Sequence, residues 1–312
     1  MAEEYQHVTV LLDAAVEALS VNPDGLYIDG TFGRGGHARK ILDRLGDNGR
    51  LIVVDKDPQA ITIACQLAAD DSRVYVFHGS FADYRQALEN SGFGNKIAGM
   101  LLDLGVSSPQ IDDAARGFSF QRNGDLDMRM NPEQGLSAAD WLAVAEPAEI
   151  AAVLWKYGEE RFARRIVDKI TERRETKPLT TTLELANLIS EAVPRKFHGR
   201  KHPATKSFQA IRIFINQELG DLERCIAEAV DDLAIDGRLV VISFHSLEDR
   251  MVKRFFKSKS TPPSIPRGMP ILDSSIAPPF RTIGKALKPD EEEVAGNVRS
   301  RSSVMRILER WA

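Results

Sequence analysis

Leu26-Tyr27-Ile28-Asp29-Gly30-Thr31-Phe32-Gly33-Arg34-Gly35-Gly36-His37 is the stretch on which the fold turns. It runs from a short apolar segment, through a turn holding four glycines, into a helical pattern from His37 to Leu45. Such a strand–turn–helix unit places a flexible backbone at the carboxyl end of a strand. The same rhythm continues outward. Leu51 to Asp55, Val74 to Phe77 and Ile97 to Leu104 are apolar on consecutive residues, with helical patterns at Pro58–Ala69 and Phe81–Asn90 between them. Strands that are apolar on consecutive positions are covered on both faces, which predicts a parallel sheet in a doubly wound α/β fold.

The rhythm stops between about Ile111 and Ala204. Helical patterns occupy Ser137–Leu142, Pro147–Tyr157, Phe162–Arg173 and Leu183–Ala192, punctuated by Pro132, Pro147, Pro178 and Pro194. Strand-like runs return at Gly237–Phe244 and Ser303–Leu308. A sheet left incomplete and then resumed predicts one discontinuous α/β domain, 1–112 and 206–312, carrying an all-helical insertion, 113–205. The Pro-rich stretch Thr261–Pro279 is too long for a simple connection, and such loops are usually functional or mobile. There is no internal repeat.

Composition removes several classes. With 41 basic and 45 acidic residues in 312, the net charge is −4, and 43% of the chain is hydrophobic. That composition builds a core and argues against disorder. No apolar run reaches the roughly 18 residues of a spanning helix, and Met1-Ala2-Glu3-Glu4 lacks the layout of a signal peptide, so a cytoplasmic protein without membrane attachment is expected. Cys65 and Cys225 offer neither a disulfide framework nor a metal pair, and no metal site is expected.

The glycine turn fails the strict G-x-G-x-x-G spacing and, with Gly36 and His37 where a P-loop has Lys and Ser or Thr, also fails that motif. Pyrophosphate binding, and with it a dehydrogenase, is disfavoured. Asp55 closes the second strand about twenty residues on, where α/β folds hold ribose hydroxyls. Alone, Asp55 would be read as a turn cap before Asp57-Pro58. With Gly33, Gly35, Gly36 and His37 it suggests a nucleoside cofactor without phosphates, commonly S-adenosylmethionine. Phe81, after the third strand, is a candidate for adenine stacking, although core packing is the commoner role. Asp103 ends the fourth strand and is followed by Leu104-Gly105-Val106-Ser107-Ser108-Pro109-Gln110, similar in type to the loop of methyltransferases that modify exocyclic amines.

Methylation at a pyrimidine carbon needs an exposed thiolate, and neither cysteine sits in a plausible loop. An exocyclic amine needs only acceptors for its hydrogens and alignment with the methyl carbon. Asp103, Ser107, Ser108 and adjacent carbonyls, in the loop that Pro109 stiffens, are the candidates. Nucleic acid is suggested by six Lys or Arg and no acid from Ala192 to Gln217: Arg195, Lys196, Arg200, Lys201, Lys206 and Arg212, with His198 and His202 among them. A second acid-free stretch runs from Arg250 to Arg267. Single stripes are often only solvated faces; two in such a chain favour phosphate binding.

Several segments together resemble the bacterial 16S ribosomal RNA cytosine-N4 methyltransferase (MraW) family. They are His7-Val-Thr-Val-Leu-Leu12, Asp29 to His37, Asp103 to Gln110, Gly117-Phe-Ser-Phe120, Leu126-Asp-Met-Arg-Met130, His202 to Arg212 and Ser243 to Arg250. The resemblance implies a Rossmann-like S-adenosylmethionine-dependent methyltransferase whose helical insertion recognises substrate. It also implies a decoding-centre cytidine of 16S rRNA as acceptor, within the small ribosomal subunit. It implies cofactor contacts at Gly35, Gly36, His37, Asp55, Phe81, Asp103 and Gln110. A homodimer is compatible with it. One departure is Val298, where the family pattern has Pro after Asn297. A different class, an rRNA-binding assembly factor with a vestigial cofactor site, is opposed by the intact loop from Gly30 to His37.

Overall fold

The computed structural model describes residues 9–199, 201–262 and 277–312. The expected basic residue Arg200, most of the Thr261–Pro279 stretch, and His7 with Val8 lie outside them. Two compact units are present: Met1–Gly105 with Leu219–Ala312, and Val106–Glu218. The unit boundaries thus fall seven residues earlier and thirteen later than 113–205, because the turn after Asp103 and the helix Thr205–Ile215 belong to the inserted unit.

The first unit is a seven-stranded sheet. Its strands are β1 (Leu26–Asp29), β2 (Arg50–Asp55), β3 (Val74–His78), β4 (Ile97–Asp103), β5 (Leu233–Ser243), β6 (Phe280–Thr282) and β7 (Val304–Arg310). They are ordered β3-β2-β1-β4-β5-β7-β6. β1 to β5 pair in parallel, and β7 lies antiparallel between β5 and β6. Leu51, Ile52, Val53 and Val54 are all buried, as a strand covered on both faces requires. One face packs Ile28, Val54, Met100 and Leu102 against Leu222, Ile226 and Val230. The other packs Leu51, Val53, Leu101 and Val240 against Val16, Leu19 and Ile41.

The helices of this unit are α1 (Leu12–Leu19), α2 (Gly36–Leu42), α3 (Pro58–Asp70), α4 (Tyr84–Ser91), α11 (Glu218–Asp232, its first residue in the inserted unit), α12 (Ser246–Ser260) and α13 (Glu291–Gly296). Strand order reverses between β1 and β4, so the turns after these two strands flank the crevice that such sheets offer to ligands. None of the helices among the described residues is long and apolar enough to cross a membrane.

The inserted unit holds α5 (Ser108–Asp112), α6 (Ala138–Val144), α7 (Pro147–Gly158), α8 (Ala163–Thr176), α9 (Thr182–Ala192) and α10 (Thr205–Ile215) around Leu142, Leu154, Ile166, Leu185 and Ile211. Helix α7 can lie close to α10 because Gly158 faces it: a Cβ there would meet the Lys206 carbonyl at 2.8 Å. The buried Asn216 amide ties α10 to the preceding loop, donating to Met128 O and accepting from Met130 N–H, both at 2.7 Å. That pairing supports Met128 in its left-handed conformation (φ 63°).

Candidate active site

At the carboxyl end of β1, Asp29 is completely buried and its Oδ1 accepts from Thr31 N–H at 3.1 Å. Thr31 Oγ1 in turn accepts from Asp103 N–H at 2.6 Å, which ties the glycine turn to the end of β4. The turn then coils through Gly33 (φ 56°) and Gly35 (φ 77°), conformations a side chain would strain. A Cβ on Gly35 would also meet the Phe32 ring at 2.6 Å. Gly36 opens α2, and a Cβ there would collide with Thr9 Oγ1.

Asp55, at the end of β2, holds this turn in place: its Oδ2 accepts from Gly33 N–H and its Oδ1 from Asp57 N–H, each at 2.8 Å. The Lys56 N–H lowers the same carboxyl, so three backbone donors meet Asp55. Burial pushes the Asp55 carboxyl up to about 6, against the lowering effect of these N–H donors. The two bonds show the turn-holding role of Asp55.

His37 is buried on α2, with its Nδ1 3.9 Å from Asp103 Oδ2. Asp103 keeps only 21% of its side chain exposed. Burial raises its carboxyl pKa well above the usual range, and the neighbouring acids Asp29, Glu248 and Glu293 raise it further. Burial also raises Asp29, to about 7. Among the described residues, Asp29 Oδ2 and Asp103 Oδ1 are buried without a hydrogen-bond partner. A group of raised, partly unpartnered carboxyls is arranged to receive N–H or O–H donors.

Phe81 comes to the same edge, its Cβ at 3.0 Å from a Cβ built on Gly30, and it packs partly against the core. The residue pattern assigns no role to Asp29, Thr31, Glu248 or Glu293. Glu248 is buried at the start of α12, where its Oε2 accepts from Phe244 N–H at 2.8 Å and its Oε1 lies 3.0 Å from His245 Nε2. The cue for it was the segment Ser243 to Arg250, whose function was not legible without the sheet.

In the inserted unit, Ser107 precedes α5 and its N–H donates to the Gln110 side-chain Oε1 at 2.9 Å. The buried Gln110 is therefore engaged in closing the first turn of α5, with Ser108 and Pro109 forming that turn. Arg195 and Lys196 lie exposed on a single 3-10 turn, and Lys201, His202 and Lys206 are exposed beyond it. His202 has a structural task as well: its Nδ1 accepts from Ala204 N–H at 3.2 Å and its ring packs on Phe120 at 4.8 Å. Lys206 Nζ donates to the Glu159 carbonyl at 3.3 Å.

The sequence profile described as the MraW methylase family matches residues 4–311 of this chain. Among solved structures, an rRNA methylase from Streptococcus thermophilus is similar at 11% identity, covering 96% of this chain and 93% of that one, with a TM-score of 0.40. Aeropyrum pernix fibrillarin, solved with natively bound S-adenosyl-L-methionine, is similar at 10% identity, covering 95% and 73%, with a TM-score of 0.37.

Proposed function

The chain belongs to the MraW methylase family, and from that premise we propose that it transfers a methyl group from S-adenosylmethionine to the exocyclic N4 of a decoding-centre cytidine in 16S rRNA. The transfer is direct, with no covalent enzyme–RNA intermediate. When bound, S-adenosylmethionine supplies an electrophilic methyl on sulfur. The glycine turn fits such a ligand because Gly33 and Gly35 leave backbone uncovered beside Asp55, whose carboxyl at the strand end suits ribose hydroxyls. Phe81 offers an apolar neighbour at the same edge.

The observation that carries direct transfer is the state of the two thiols. Cys225 is fully buried, with its Sγ 3.7 Å from Met100 Sδ, and burial raises its thiol far above the range of a nucleophile. Cys65 is exposed on α3 seven residues past the helix start, about 10 Å along the axis from the carboxyl edge of the sheet. Neither can attack a pyrimidine ring held beside Asp103. An amine needs no such attack. Asp103 accepts a hydrogen bond from an N–H at this edge, which localises the nitrogen lone pair; Thr31 Oγ1 fixes the Asp103 backbone N–H, and the His37 ring stands 3.9 Å from the Asp103 carboxyl.

The inserted unit, with Arg195, Lys196, Lys201 and Lys206 exposed, is the RNA-recognition element in this account, and Arg200 extends the stripe in sequence. The small ribosomal subunit is the substrate particle. The test is methyl transfer by the wild type and by Asp103→Ala. Retained activity in a folded Asp103→Ala protein would remove Asp103 from the chemistry.

A further inference from the structure

Phe197 ends the 3-10 turn Arg195–Phe197 with 52% of its surface exposed. A single exposed ring is ordinary. Three observations set this one apart. First, the turn is rigid: Phe197 N–H donates to Pro194 O at 2.8 Å, His198 N–H to Arg195 O at 3.0 Å, and His198 Nε2 lies 2.9 Å from Val193 O. Second, the ring is seated on Phe162, centroid to centroid 5.0 Å and inclined by 51°, and Phe162 packs on the core of the inserted unit. Third, one cation lies on it and others are near in sequence. Lys196 Nζ stands 5.2 Å from the ring centroid, Arg195 and Lys201 are exposed beside it in sequence, and Arg161, Arg164 and Arg165 are exposed around Phe162.

We propose that Phe197 is a stacking platform for an unpaired base of the RNA. A supported aromatic face with a lysine on it and exposed Lys and Arg nearby in sequence is the combination that holds single-stranded nucleic acid, the ring meeting a base and the cations meeting phosphates. Lys196 now lies against the ring as a cation–π partner. An arriving base displaces it, and the freed ammonium pairs with the adjoining phosphate. The ordering cost is small because Phe162 and the turn already hold the ring. This inference rests on the reading that RNA is the substrate, and it adds that the inserted unit grips a single-stranded segment.

The probe is a fluorescently labelled oligouridylate of about eight nucleotides, an unstructured strand spanning a typical site. Binding to the full chain is measured by anisotropy at several salt concentrations. Phe197→Ala should raise Kd roughly 5- to 150-fold, the equivalent of about 1–3 kcal/mol of base stacking, with an unchanged log–log salt slope. Phe197→Trp should restore affinity, and Lys196→Gln should reduce the magnitude of the slope by about 0.7. Because Phe197 is exposed, the melting temperature should stay near that of the wild type. Wild-type affinity in Phe197→Ala, full affinity in Phe197→Leu, or failure of the wild type to bind the strand would each overturn the platform. The substrate reading fails separately. If the wild type binds the strand through Phe197 yet transfers no methyl to small subunits, that reading falls and the platform stands. If methyl transfer proceeds while Phe197→Ala binds like the wild type, the reverse holds.

Discussion

Cofactor affinity should depend on the ionisation of Asp55. In the free protein this carboxyl titrates near 6, because burial outweighs the N–H bonds from Gly33 and Asp57. Ribose hydroxyls donate, so the bound complex selects the carboxylate. Affinity then scales with the ionised fraction, about ten-elevenths at pH 7 and one-eleventh at pH 5, which predicts roughly tenfold weaker binding at pH 5. The amino group of S-adenosylmethionine titrates only near and above pH 7.7 and does not contribute in that range.

Asp55→Asn removes a charge-assisted acceptor worth about 1.5–3 kcal/mol and should weaken binding about 10- to 150-fold at pH 7. Calorimetry in two buffers of different ionisation enthalpy reads the proton count directly. The wild type should release about half a proton per ligand at pH 6 from this group and almost none at pH 8, and the release at pH 6 should shrink in Asp55→Asn. Identical proton counts in the two proteins at pH 6 would refute the assignment of Asp55 to the ribose.

Asp29 gives a stability counterpart. Its folded pKa, raised to about 7 from 3.8, makes the folded state favour protons, so its contribution is full below about pH 4 and lost as pH rises through 7. Asp29→Asn keeps an acceptor for Thr31 N–H, and its stability relative to wild type should climb by about 4 kcal/mol between pH 4 and pH 8, read by urea unfolding without ligand. A flat difference would show that Asp29 ionises normally. Cys65→Ser with Cys225→Ala should retain methyl transfer, and no RNA adduct should form with a mechanism-based pyrimidine analogue. Loss of activity in a folded double variant would restore a thiol mechanism. Val298 is 68% exposed at the first position of the 3-10 turn that Asn297 caps, where proline fits, so Val298→Pro should raise stability by about 0.4–1 kcal/mol in thermal unfolding.

The sequence shows the parallel core clearly because β1, β2 and β4 are buried on both faces and read as unbroken apolar runs, and the edge strand β3, buried only at Val74, is apolar from Val74 to Phe77; all four end within a residue or two of their places in the sheet. The helices α6, α7 and α9 are legible for another reason, since Ser137, Pro147 and Thr181 mark their starts. β6 is not legible: three residues with one inward side chain, Phe280, carry no pattern. Helix α11 does carry a signal, with Leu222, Ile226 and Val230 recurring at helical spacing on the side that packs with the sheet.

The site divides the same way. Asp55 and Asp103 sit at strand ends, where spacing alone finds them. Thr31, Glu248 and Glu293 matter only through contacts made across the sheet edge, which no local pattern encodes. Gln110 shows the converse. Its local helix-capping bond to Ser107 N–H competes with the ligand role that the loop suggested.

The central claim is tested most directly by incubating small ribosomal subunits that lack the modification with labelled S-adenosylmethionine and this protein, then identifying the modified nucleoside and its position. The account predicts a single N4-methylated cytidine in the decoding region, absent with Asp103→Ala. A 5-methylcytidine, a methylated adenine or label in ribosomal protein would contradict it.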